Sequence, residues 1–178
     1  LRVAVVAARR RRMGDPRLVD AVTDAMKSGL NQYPPMTGVP ALREAIAKKN
    51  QAIYGHTYDA NTEITITAGA TQAILTIILA IVHPGDEVIV LEPCYDSYVP
   101  NIELAGGVVV RVPLTPGTFR PDFDKIAAAI TPRTRAIMLA HTLGNPFNLE
   151  AITALCKKYG LWLVEDCCDA LVVCALPE

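Results

Sequence analysis

Two hydrophobic periods alternate along this chain from residue 15 onward. Asp15-Pro16 opens a helix, with Asp as N-cap and Pro at the first helical position, where a missing N–H costs nothing. Leu18, Val19, Val22, Ala25 and Met26 follow at helical spacing, and Gly29 closes the segment. Pro40 opens a second helix with the stripe Leu42, Ala45, Ile46 and Ile53, ended by Gly55. Glu63–Thr67 alternates and is rich in β-branched residues, which predicts a strand. An apolar helix over Thr71–Val82 ends at the Pro84-Gly85 turn, and Asp86–Leu91 predicts a buried strand.

The same alternation continues to the end. A helix runs through Ser97–Ala105, stopped by Gly106-Gly107, before a strand at Val108–Val112. Asp122 caps a helix carrying Phe123, Ile126, Ala127 and Ile130, and Arg135–Ala140 is the next strand. Asn148 caps a helix carrying Leu149, Ile152, Leu155 and Cys156, which Gly160 ends before a strand at Leu161–Val164. Strands alternating with helices predict an α/β fold, three-layer α/β/α, with a mostly parallel sheet covered on both faces. Residues 1–14, including Arg9–Arg12, read as a solvated basic arm outside the core, and residues 15–178 as one α/β domain.

Composition narrows the function. The 178 residues are 51% apolar, enough for a sizeable core, and the net charge of -1 gives no global pull toward nucleic acid or an anionic membrane. The five cysteines are odd in number and form no C-x-x-C pair. That argues against a disulfide framework or a zinc site and for a reducing, cytoplasmic setting. No apolar run is long enough to span a bilayer, and the N-terminus has its charges after its apolar stretch, the reverse of a secretory signal. No G-x-G-x-x-G follows a strand, which disfavours a nicotinamide site.

In open α/β sheets ligands bind beyond the carboxyl ends of the strands. Three segments there carry candidate chemistry. Ala68-Gly69-Ala70-Thr71 leads into an apolar helix whose N-terminal N–H groups suit a phosphate; an ordinary strand-to-helix turn is the bland alternative. Glu92–Tyr98 offers Tyr95 for stacking on a planar ring, against two tyrosines packing in a loop with wet hydroxyls. Glu165-Asp166 ends a strand. Asp166 is suited to pair with a protonated ring nitrogen; an acidic helix cap or surface pair is the bland alternative, weighing more on Glu165 than on Asp166. Asn145, held extended before Pro146, can aim its amide at a ring hydroxyl, or simply sit in a turn.

The order of these segments resembles the fold-type I pyridoxal-phosphate enzymes. The strings NQYPPMTGVPALREAIA, ITITAGATQAI, GDEVIVLEPCYDSYVP and TRAIML resemble class I/II aminotransferases, especially the branch acting on methionine and kynurenine. The stretch AHTLGNPFNLEAITALCKKYGLWLVEDCCDAL is similar instead to the sugar aminotransferase and CDP-4-keto-6-deoxyglucose 3-dehydrase branch, with a seam near Ala136–His141. The resemblance implies that Gly69, Ala70 and Thr71 cradle the phosphate of pyridoxal 5'-phosphate and that Tyr95 stacks on its ring. It implies that Asn145 bonds the phenolic oxygen and Asp166 the ring nitrogen. Tyr33 would reach the phosphate of a neighbouring subunit, which implies a homodimer, and Gly38 would lie near the substrate.

Family members carry a Schiff-base lysine after the aspartate strand. Here the last lysines, Lys157 and Lys158, precede it and are expected on a solvated helix face. The reading is therefore of a truncated cofactor-binding large domain, inactive or weakly active without that lysine, with an amino acid or keto-sugar as its small-molecule substrate. Two alternatives stand beside it: a sugar-nucleotide dehydratase relative using aminated cofactor, and a noncatalytic designed or chimeric α/β domain.

Overall fold

The computed structural model describes residues 2–5, 15–142 and 146–168. The chain divides into two compact units, one of residues 8–67 and one of residues 1–7 with 68–178.

In the unit of residues 8–67, α1 spans Pro16–Lys27 and α2 spans Pro40–Tyr54. The Asp15 side chain accepts from the Arg17 N–H, and Gly55 ends α2 in the left-handed conformation, as the sequence predicts. The apolar stripe of α1 (Leu18, Val19, Val22 and Met26) is exposed along its length. Glu63–Thr67 forms no strand, and Glu63 itself is in a bend. A strand needs a continuous ladder. Here the Glu63 N–H goes back to Asp59 O and the Ile66 N–H goes to Thr37 O, so β-branched alternation finds no partner strand to align with.

The other unit contains α3 (Ala70–Ile81), β2 (Glu87–Glu92), α4 (Tyr98–Leu104) and β3 (Val108–Pro113). After them come α5 (Phe123–Ala128), β4 (Thr134–Ala140), α6 (Leu149–Tyr159) and β5 (Trp162–Asp166). Residues Arg2–Val5 form β1, which pairs in parallel with β5. Part of what the sequence placed in a solvated arm is thus an edge strand; RVAV alternates and carries two valines, and the open edge of β5 supplies its ladder. The sheet order among the described residues is β1-β5-β4-β2-β3, and every neighbouring pair is parallel.

Strand residues alternate between two cores. Val88, Val90, Ala136, Met138 and Val164 pack with Ile74 and Ile78 of α3 and Tyr98 and Ile102 of α4. Ile89, Leu91, Ile137, Leu139 and Leu163 pack on the opposite face with Ile126 of α5 and Ile152 and Cys156 of α6. This alternation makes the three layers, and each fully buried Ile or Leu contributes about 1.5–3 kcal/mol. Near-continuous burial along β2 and β4 follows from helices on both faces.

At the amino end of the sheet, Glu87 is buried and accepts from Thr131 Oγ1 and from Arg133 Nε at 2.9 Å. These bonds hold its carboxyl below the usual range, the Thr131 hydroxyl contributing most. No helix among the described residues is long and apolar enough to cross a membrane.

Candidate functional site

Because the strands are parallel, the carboxyl ends of β2, β4 and β5 share one edge. Ala140 is opposite Asp166 across the β4–β5 ladder, and Val90 is opposite Met138 across β2–β4. Ala70 at the start of α3, Cys94 after β2, Ala140 at the end of β4 and Cys168 after β5 all pack on the same core. Of the three segments that the sequence marked for chemistry, Glu92–Tyr98 and Glu165-Asp166 meet directly through Tyr98 and Asp166, and Ala70 of the first packs on the same core.

Gly69 is the N-cap of α3, with φ +86° and ψ 170°. Only glycine takes that conformation without strain, and a Cβ there would project into open space. The first intrahelical bond is Ala73 N–H to Gly69 O. The N–H groups of Ala70 and Thr71 therefore lie in the unbonded first turn, at the positive end of the helix dipole. The Gln72 side chain folds back to accept from the Ala68 N–H, which fixes the approach to the helix.

Asp166 ends β5 and is 7% exposed. Tyr98 Oη donates to its Oδ2 at 2.7 Å, and the Cys168 N–H donates to its Oδ1 at 3.0 Å. A carboxylate offers about four acceptor positions, so two donors leave each oxygen able to take another. Tyr98 is buried, and its hydroxyl is held well above the ordinary tyrosine range by burial first and then by the bond to Asp166. Tyr95 meets Tyr98 edge to face, ring centroids 5.8 Å apart, and leaves nearly half of its own surface exposed, 48%. The alternative of two wet hydroxyls does not hold for Tyr98, whose donor is spent on Asp166.

Glu165 departs further from its expected place. It is fully buried, and its Oε2 lies 3.0 Å from Nε2 of the equally buried His141. Successive residues of a strand point to opposite faces, so two adjacent carboxylates at one tip serve different partners. The sequence signal was available: an acidic pair closing a strand buried on both faces cannot have both members in water.

Cys94 and Cys156 are free thiols, and Cys167 is in a disulfide, where the sequence argued against a disulfide framework. Ligand atoms of His141, Glu165 and Cys167 lie within 4.8 Å of one another. A disulfide sulfur is no thiolate donor, so this group lacks the third ligand a metal needs. Lys157 and Lys158 are on the exposed face of α6, as expected, with Lys158 Nζ 5.0 Å from the Tyr159 ring centroid.

In the unit of residues 8–67, Tyr33 is fully exposed. Gly38 has φ +94° and lies against Ile66, where a Cβ would come within 2.5 Å of Cγ1. The buried Arg43 donates to Gly38 O and Ala60 O, anchoring that turn. Asn145 lies outside the described residues.

A family model described as aminotransferase class I and II matches residues 9–168, running through the seam near Ala136–His141. The chain is 49% identical over 133 residues to methionine aminotransferase of Escherichia coli K12, covering 75% of this chain and 34% of that protein. A solved structure of N-succinyldiaminopimelate aminotransferase from Mycobacterium tuberculosis superimposes with TM-score 0.83 at 37% identity, covering 92% of this chain and 45% of that one. A Thermus thermophilus aspartate aminotransferase variant gives TM-score 0.82 at 35% identity, over 92% of this chain and 47% of that one. The chain thus spans about a third to a half of the length of these relatives.

Proposed function

Since this chain belongs to the class I and II aminotransferases, a pyridoxal-phosphate-dependent family, we propose that it is the cofactor-binding part of an enzyme that moves an amino group between an amino acid and a 2-oxo acid. The observation that carries the reading is Asp166: a buried carboxylate at a strand's carboxyl end, held by two donors and still able to accept a third.

The residues present fit the cofactor. The N–H groups of Ala70 and Thr71 bind its phosphate, with Gly69 keeping the approach clear of any Cβ. Tyr95 covers the ring face, and the edge contact from Tyr98 fixes the tilt of Tyr95. Asp166 accepts from the ring nitrogen and keeps it protonated. When bound, the cofactor supplies an electron-withdrawing ring that stabilises negative charge next to the substrate's reacting carbon. In the same reading Asn145 bonds the ring oxygen, Tyr33 serves a second subunit of a homodimer, and Gly38 borders an amino-acid substrate.

Titrating the chain with pyridoxal 5'-phosphate, followed by absorbance and fluorescence, tests this. Saturable binding that weakens at least roughly tenfold in Asp166→Ala is expected, since a charge-assisted hydrogen bond is lost. Absence of saturable binding, or binding indifferent to Asp166, would overturn the assignment.

A further inference from the structure

We infer that His141 and Glu165 are positioning residues for Asp166, an inference that rests on the cofactor-binding reading above. Three bonds converge on His141. Its backbone N–H donates to Asp166 O at 3.0 Å, one step beyond the Ala140–Asp166 pair that ends the β4–β5 ladder. Its Nε2 lies 3.0 Å from Glu165 Oε2, and its Nδ1 accepts from the Phe147 N–H at 3.3 Å. A backbone N–H only donates, so Nδ1 is bare and the imidazole proton is on Nε2, donated to Glu165.

The parity of β5 shows what this arrangement achieves. Val164 belongs to the core under α3 and α4, and Leu163 to the core under α5 and α6. Asp166 shares the face of Val164 and meets Tyr98 of α4. Glu165 shares the face of Leu163; its partner His141 meets the Phe147 ring at 5.6 Å, and Phe147 packs on that same second core. The tip of β5 is therefore pinned from both faces. Tyr98 fixes the Asp166 side chain, while His141 fixes the Asp166 carbonyl and anchors itself through Glu165 and Phe147. Shifting the Asp166 backbone, and with it the carboxylate, would break bonds in both layers. The same contacts tie residue 141 to residue 147, the two ends of the link in which the sequence holds Asn145.

The test combines spectroscopy with cofactor affinity. In nitrogen-15 spectra of histidine-labelled protein at neutral pH, the resonance lost in His141→Leu is expected to report a bare Nδ1 and a protonated Nε2; the opposite tautomer or a doubly protonated ring overturns the inference. Glu165→Gln keeps an acceptor oxygen for Nε2–H and is expected to bind pyridoxal 5'-phosphate within about twofold of the parent. Glu165→Leu and His141→Leu are expected to weaken binding roughly tenfold, and to lower the pH at which the bound cofactor's absorption band changes, because the ring nitrogen loses an aligned carboxylate. A merely structural pair would lower the melting temperature without moving that pH.

Should the leucine variants fail to fold, His141→Gln replaces them, since it keeps a donor toward Glu165 but no acceptor for Phe147, and the same shift is expected. Leucine or glutamine variants of His141 that bind and titrate like the parent, while Asp166→Ala does not, would overturn the positioning role and leave the cofactor reading standing. A parent chain that binds no cofactor would overturn both.

Discussion

Tyr98 Oη donates to Asp166 Oδ2 over 2.7 Å, tying the first residue of α4 to the last residue of β5. Both groups are buried, so the bond is shielded from competing water. Tyr98→Phe leaves the ring packing in place and removes the donor. It is expected to cost about 1–3 kcal/mol in urea denaturation at neutral pH.

The same bond sets an alkaline limit. The folded-state pKa of Tyr98 lies above its unfolded value, so its contribution is fully present below about pH 10 and declines as pH rises past that point. Urea melts between pH 8 and 11 should show stability falling in the upper part of this range, by less in Tyr98→Phe than in the parent. Equal slopes in both proteins would count against the burial of this hydroxyl.

Glu87 has the opposite sign. Its folded pKa is depressed by the Thr131 hydroxyl and by Arg133, so its contribution is present above about pH 4.3 and is lost as pH falls through the folded value. Glu87→Gln should be less stable than the parent at pH 7, by about 1–3 kcal/mol. The difference should shrink in melts carried to pH 3.

Two glycines separate steric from conformational demands. Gly38 and Gly69 both have positive φ, but a Cβ on Gly38 meets Ile66 while one on Gly69 meets nothing. Gly38→Ala should therefore cost more than Gly69→Ala, whose penalty is the backbone strain of about 1–3 kcal/mol alone. Thermal melts of the two variants side by side make the comparison, and equal losses would show that Ile66 yields.

Cys156 of α6 is buried in the core, and burial raises its thiol to about 11. At pH 8 roughly one molecule in a thousand carries the thiolate. Iodoacetamide labelling followed by peptide mass spectrometry should modify Cys156 only after denaturant is added, and Cys94 and Cys168, which are partly exposed, before it. Early labelling of Cys156 would contradict its burial.

Most elements of this protein were legible in the chain because their punctuation is local. Asp15-Pro16, Asp122 and Asn148 start helices through bonds to residues two or three positions on, and Gly55 and Gly160 end them with a left-handed backbone. The positions of Gly69 at a helix start, of Tyr95 just after a strand and of Asp166 at a strand end were legible for the same reason. Glu63–Thr67 and Arg2–Val5 failed in opposite directions, since whether an extended segment becomes a strand depends on a partner ladder that its own residues do not encode.

The alternation of periods by itself determined the parallel α/β sheet and which loops carry the chemistry, because side-chain spacing fixes which face is buried. Only the tertiary structure decided how the two carboxylates at the tip of β5 are used. Tyr98 and His141 lie 68 and 24 residues away along the chain from Asp166 and Glu165, and only the packing of α4 and β4 against β5 brings them within hydrogen-bonding distance.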